Sequence, residues 1–134
     1  MAEVSTLNNT DANNTARFNG ANNVSQLDDA GRALEGMLAR FIKDIFGANT
    51  TAGSNTAYTI ALNRTAMTTH AEVGRFAARF HVANNGACTL VVNSLASKAL
   101  RKAGNAALVT GDLPANCIKD VFWNAANDCW EVVL

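Results

Sequence analysis

Three basic side chains recur on one phase of a short segment. In RFAARFHV, Arg75, Arg79 and His81 alternate with Phe76, Ala78, Phe80 and Val82. A two-residue period puts the three on one strand face, where they would either hold an anion or form an ordinary solvated surface. Two tryptophans, Trp123 and Trp130, stand on either side of the turn Asn124-Ala125-Ala126-Asn127-Asp128. Flat rings at the ends of a hairpin can stack on a sugar, and they serve equally as core or subunit interface. The carboxylates Glu72, Asp112, Asp120, Asp128 and Glu131 are scattered and form no acid–base pair. Asp112 and Asp128 fall in turn sequences, where a short acceptor satisfies backbone N–H groups. His70 stands alone in the Thr-rich stretch TAMTTHAEVG. Cys88, Cys117 and Cys129 lack the spacing of a zinc site and read as small apolar residues, with a Cys117–Cys129 bridge as the alternative. No nucleophile elbow, metalloprotease, dinucleotide or phosphate-loop motif occurs. These residues point away from an enzyme and imply neither metal nor cofactor.

The elements that would position these residues divide at residue 57. Residues 1–23 are dense in Asn, Thr and Ala without periodicity, and read as an extended arm that either docks or frays. A helix is expected over 24–47, with Ser25 as N-cap, Asp28 completing a capping-box-like pair and Gly47 at the end. Along it Leu27, Gly31, Leu34, Leu38, Phe41 and Ile45 alternate spacings of four and three, the seam of a coiled coil. Ala30, Met37 and Ile42 widen the stripe, while Asp28, Arg32, Glu35, Lys43 and Asp44 fall outside it. Gly31 and Gly36 each lower helix propensity by about 1 kcal/mol, so the helix needs partners. Those partners are either its own β domain or identical chains meeting along the seam. Fewer than three heptads do not sustain a coiled coil alone.

Residues 48–56 read as a small-polar linker. From 57 the period becomes two, with Tyr58, Ile60 and Leu62 on one phase. Asn84-Asn85-Gly86 is a hairpin signal, since Asn-Gly readily adopts positive φ. Cys88–Val92 follows as a strand, then a short segment Ser97–Lys102, and a loop at Gly111-Asp112-Leu113-Pro114. A closing hairpin is expected between Ile118–Trp123 and Cys129–Leu134. The expected fold is mainly β: a small antiparallel sandwich or barrel over 57–134, preceded by the arm and one α-helix.

Composition narrows the function classes. The 134 residues carry 11 basic and 11 acidic side chains, for a formal net charge of zero. That balance argues against a nucleic-acid partner, which is held mainly by phosphate neutralisation, and against a membrane-surface protein with a basic face. The N-terminal segment has neither the basic start nor the apolar run of a secretory signal. Charged residues make up 16% of the chain, against about 25% in an average domain. Alanine and asparagine take their place, which leaves little charge repulsion against self-association. Such a surface suits a component of an assembly.

Two stretches carry a resemblance. NVSQLDDAGRALEGMLARFIKD (23–44), preceded by ARFNG (16–20), is similar to the N-terminal part of tailed-bacteriophage and prophage tail-fibre proteins, where a polar arm leads into a short helix. RFAARFHVANNGACTLVVNSLASKALRKAGNAALVTGDLPANCIKDVFW (75–123), with the terminal DCWEVVL, resembles the β repeat of phage fibre and spike proteins. There a strand ends in Asn-x-Gly-Ala-x-Thr-Leu, a Lys-Ala-Leu-Arg-Lys segment follows, and Gly-Asp-Leu-Pro-Ala-Asn leads to a closing hairpin.

The resemblance implies a non-enzymatic, homotrimeric virion structural protein, without cofactor, assembled in the bacterial host cytoplasm and packing through Leu27, Gly31, Leu34, Leu38, Phe41 and Ile45. It implies other virion proteins of the capsid, tail or baseplate as partners of the arm. Fibre proteins usually continue beyond one such module, whereas this chain stops at Leu134 after a single one, which admits a short fibre, an adaptor or a capsid decoration (cement) protein. A host-glycan-binding module, using Arg75, Arg79, His81, Trp123 or Trp130, is the remaining alternative.

Overall fold

The structure is a computed structural model that describes residues 24–47 and 49–134. The expected arm at 1–23 lies outside the described residues. The first element, α1, is a helix over Val24–Phe46. It begins one residue before the expected Ser25 cap, and its 23 residues make a rod about 34 Å long. Gly47 closes it, with the Gly47 N–H donating to the Lys43 carbonyl at 2.8 Å. A Cβ at this position would collide with that same oxygen, so only glycine fits.

The rest of the described chain is mainly β. Its strands are β1 (Asn49–Thr50), β2 (Ala52–Gly53), β3 (Ala57–Ile60), β4 (Arg75–Arg79), β5 (Cys88–Val92), β6 (Lys98–Lys102), β7 (Ala106–Ala107), β8 (Ile118–Asn124) and β9 (Cys129–Val132). A single-turn helix, α2 (His70–Val73), precedes β4. One sheet runs β1-β4-β8-β9-β6-β5-β3-β2, with β7 paired to β6. β1 and β2 are halves of one extended segment around Thr51. The first half pairs with β4 and the second with β3, which bends the sheet into a nearly closed barrel.

The sheet is mixed rather than antiparallel. β4–β8, β8–β9, β5–β6, β6–β7 and β2–β3 are antiparallel, while β1–β4, β3–β5 and β6–β9 run parallel. Local sequence reveals hairpins, but a parallel pair needs a crossover whose partner is chosen by packing. Two expectations therefore change. The linker at 48–56 contains the strand segment that closes the barrel. The Asn84-Asn85-Gly86 stretch joins no hairpin, because β4 pairs with β8 and β5 with β3 and β6.

The reason lies in how Asn84 uses its side chain. It is buried, its amide donates to the Gly86 and Val109 carbonyls at 2.8 Å each, and its Oδ1 accepts from the Leu113 N–H at 2.9 Å. Only Gly86 of the three takes positive φ, so the backbone crosses to another strand instead of turning back.

Inside the barrel the two-residue period is kept. Tyr58, Ile60, Phe76, Ala78, Phe80, Cys88, Leu90, Val92, Leu100, Val121, Trp130 and Val132 form one continuous core. Cross-strand registers stack them in rows, such as Phe76–Val121–Val132 and Leu100–Trp130–Trp123. Leu62, Leu108 and Leu113 from the loops complete the packing. On the outer face of β4, Ala77 is also buried, because α1 lies across this strand and a small residue lets the helix approach.

Candidate assembly surface

On α1, Met37 and Asp44 are fully buried on the barrel side. Leu27, Leu34, Leu38 and Ile42, each between 38% and 52% exposed, and Phe46 at 79% are spread around the helix from about 60° beside Met37, at Leu34, to the far side, at Phe46. These are large apolar groups left partly open, and Phe46 mostly open, in the single chain. Of the six expected seam residues, Leu27, Leu34 and Leu38 are exposed together. Gly31 is half-buried, and open space surrounds the place where its Cβ would stand. Phe41 and Ile45 are half-buried, and Phe41 lies under the Arg64 guanidinium at 5.4 Å. The exposed stripe therefore leaves the expected seam after Leu38 and continues through Ile42 and Phe46. Each four-residue step turns about 40° around the helix, so the stripe winds away from a straight axis.

The helix is held by a residue assigned by its spacing to the polar outside. Asp44 is 0% exposed, and its carboxylate is saturated. Oδ1 accepts from the Asn63 N–H at 2.7 Å, from Asn63 Nδ2 at 2.8 Å and from Asn49 Nδ2 at 3.4 Å. Oδ2 accepts from the Arg64 N–H at 3.1 Å and from Arg64 Nε at 2.9 Å. Arg64 is itself buried and donates through Nη2 to the Arg75 carbonyl at 2.9 Å. Asn93 supports the same loop, accepting from the Leu62 N–H and donating to the Arg64 carbonyl. The last turn of α1 is thus locked to the barrel, the geometry in which a buried ion pair is tolerated. No local signal marks Asp44, because its closest partners, Asn63 and Arg64, come from the loop after β3.

A second apolar surface lies on the outer side of β8 and β9. Phe122, Ala103, Ala106 and the run Val132–Leu134 line an open groove of about 360 Å³. Val133 and Leu134 are 56% and 50% exposed. The polar groups at its rim are already paired: Lys102 with Asp112 at 2.8 Å, and Glu131 with Asn124 Nδ2 at 2.9 Å. The Lys102 ammonium, then the Val109 N–H, hold the Asp112 carboxyl below its usual range. The groove offers apolar surface rather than unsatisfied charge.

The three basic residues do not form an open anion site. Arg75 pairs with Asp120 at 2.9 Å and stacks its guanidinium 5.0 Å from the Phe122 ring. Arg79 donates to Asn116 Oδ1 at 2.9 Å. His81 faces the closing strand: its Nδ1 lies 2.9 Å from Thr51 Oγ1, and its N–H donates to the same oxygen at 3.1 Å. Each group already has a partner, and the partners differ.

The tryptophans likewise turn inward. Trp130 is 0% exposed, packed edge-on against Phe76 and Trp123 at 5.4 and 5.1 Å, with its Nε1 unpaired. It offers no face to a sugar. Trp123 is half-buried, and His70 stacks on it at 4.6 Å. His70 is placed there by α2. Thr69 and Glu72 close a capping box around that turn, and the His70 Nε2–H donates to the Ala96 carbonyl at 2.9 Å. Hydrogen bonds from Thr68 and then Thr69 hold the Glu72 carboxyl below its usual range.

All three cysteines are free thiols. Burial is the first cause raising each above the ordinary thiol value. No group of three His, Cys, Asp or Glu side chains among the described residues could hold a metal ion. None of the described helices is long and apolar enough to cross a membrane. No family model matches the chain, and no curated protein matches it either.

Proposed function

We propose that the chain is a non-enzymatic structural protein of a bacteriophage virion, a homotrimeric fibre-type module. Residues 1–23 anchor it to the particle and the barrel projects. The observation that carries this reading is the exposed row Leu27, Leu34 and Leu38 on a helix whose last turn is locked to the barrel. An apolar row of this kind on a solvent-facing helix marks an interaction surface. The open space at Gly31 allows neighbouring helices to approach closely. The low surface charge and the fibre-like sequence pattern over 75–123 point the same way.

Light scattering on the eluting protein tests the assembly. The expected mass is three times the 14.1 kDa of one chain, and Leu34→Asp is expected to reduce it to one. A wild-type monomer at micromolar concentration, or an unchanged trimer in Leu34→Asp, would overturn the helix-seam reading. The copy number per purified particle, measured against the major capsid protein, tests the location. A number far below that of the capsid subunits is expected for a fibre, and a number near it assigns the protein to capsid decoration.

A further inference from the structure

We infer that Ile42 and Phe46 of one copy seat in the Phe122/Val133/Leu134 groove of the next copy, so that the trimer is held by a helix-to-barrel contact as well as by its seam. This rests on the trimeric reading and extends it to a second surface.

The seam cannot hold the assembly alone. Leu27, Gly31, Leu34 and Leu38 span fewer than two heptads, where a self-sufficient coiled coil needs three or four. Four residues also fall far short of the roughly 20–30 per partner that a stable interface buries. More surface must come from elsewhere on the chain.

Ile42 and Phe46 supply one half of it. Relative to Leu38 they are turned about 40° and 80° off the seam, so they face beside the helix axis rather than along it. Phe46, at 79%, is the most exposed large apolar residue among the described residues, and its own barrel leaves most of it open. The groove supplies the other half. Its volume of about 360 Å³ takes an aromatic and an aliphatic side chain, and its satisfied rim calls for apolar cargo.

Position favours the match. The groove begins at Phe122 on β8, the strand beside β4, and β4 carries α1. A projection at one place and a recess at another make a heterologous contact, which closes into a ring when the rotation is cyclic. A three-fold axis along the seam provides such a rotation.

Phe46→Cys and Val133→Cys chains, refolded together and oxidised, test the contact, because a mixed disulfide can then form only between copies. Wild-type protein controls for the three native thiols, and Leu38→Cys reports the seam separately. A mixed-disulfide band joining the two variant chains is expected, with trimer dissociation about tenfold or more easier in both Phe46→Ser and Val133→Ser and the buried-Trp130 fluorescence unchanged. A trimer in which Leu38→Cys cross-links while the mixed pair does not, and in which both Ser variants assemble as wild type, would overturn the groove contact and leave the seam standing. A monomeric wild type would overturn both.

Discussion

Removal of the Asp44 carboxylate probes the joint between helix and barrel. In Asp44→Ala, the Arg64 guanidinium remains 4% exposed but loses its anion. The Asn63 and Arg64 N–H groups also lose their acceptor, formerly 2.7 and 3.1 Å away. Removing one partner of a buried pair costs about 3–5 kcal/mol, since the remaining charge is stranded. A domain of this kind has only about 5–15 kcal/mol in total. With a urea dependence of about 2 kcal/mol per M, the midpoint should fall by roughly 1.5–2.5 M at fixed protomer concentration. The helix end should loosen first, giving faster amide exchange over 37–46 than in the barrel strands.

Arg64→Met combined with Asp44→Ala removes the stranded guanidinium and should recover part of the loss. Recovery stays incomplete because the two backbone N–H groups remain unpaired. The single changes should therefore be non-additive by more than about 0.5 kcal/mol. A midpoint shift below about 0.5 M, or additive single effects, would refute the latch.

Two further outcomes concern buried polar groups. Burial first, and then the negative charge of Cys88 and Cys117 as thiolates, push the Tyr58 hydroxyl up to about 12, while its O–H donates to the Val82 carbonyl at 2.8 Å. The fold favours the protonated form, so this contribution is complete below pH 10 and is lost as pH rises through about 12. Tyr58→Phe should cost about 1 kcal/mol at pH 7 and flatten the alkaline loss of stability, and an equally steep loss in the variant would exclude Tyr58 as its source. Asn84→Ala leaves the Leu113 N–H without its 2.9 Å acceptor and releases the loop over 108–114. It should destabilise by about 1–3 kcal/mol or more in urea titration, and a neutral result would show that the loop is held by Leu108 and Leu113 packing alone.

Much of the local structure is legible in the residues themselves. The period of two at Tyr58 and Ile60 marks β3 with one face inside, Cys88–Val92 is a strand with the same alternation, and Leu62, on the phase of Tyr58, falls in the loop beyond β3. The Trp123/Trp130 hairpin pairs across its turn as its sequence suggests. The Asn84-Asn85-Gly86 signal misleads because asparagine has two competing uses, positive φ and side-chain bonding to a distant loop. Only the fold decides between them. Arg75, Arg79 and His81 share a strand phase, but Asp120, Asn116 and Thr51 lie 45, 37 and 30 residues away and cannot be matched to them from local spacing.

The helix expected over 24–47, observed over Val24–Phe46, and the β character of residues 57–134 were readable from the sequence, because they depend on periodicity and on local chemistry. Tertiary structure alone decided the pairing order, the role of residues 49–53 as the closing strand, and the burial of Asp44. It also decided which apolar residues of α1 stay exposed. A helix with a broad apolar stripe can present more than one edge to its own barrel. The Asp44–Arg64 pair sets that rotation, turning Met37 inward and leaving Leu34, Leu38, Ile42 and Phe46 outside.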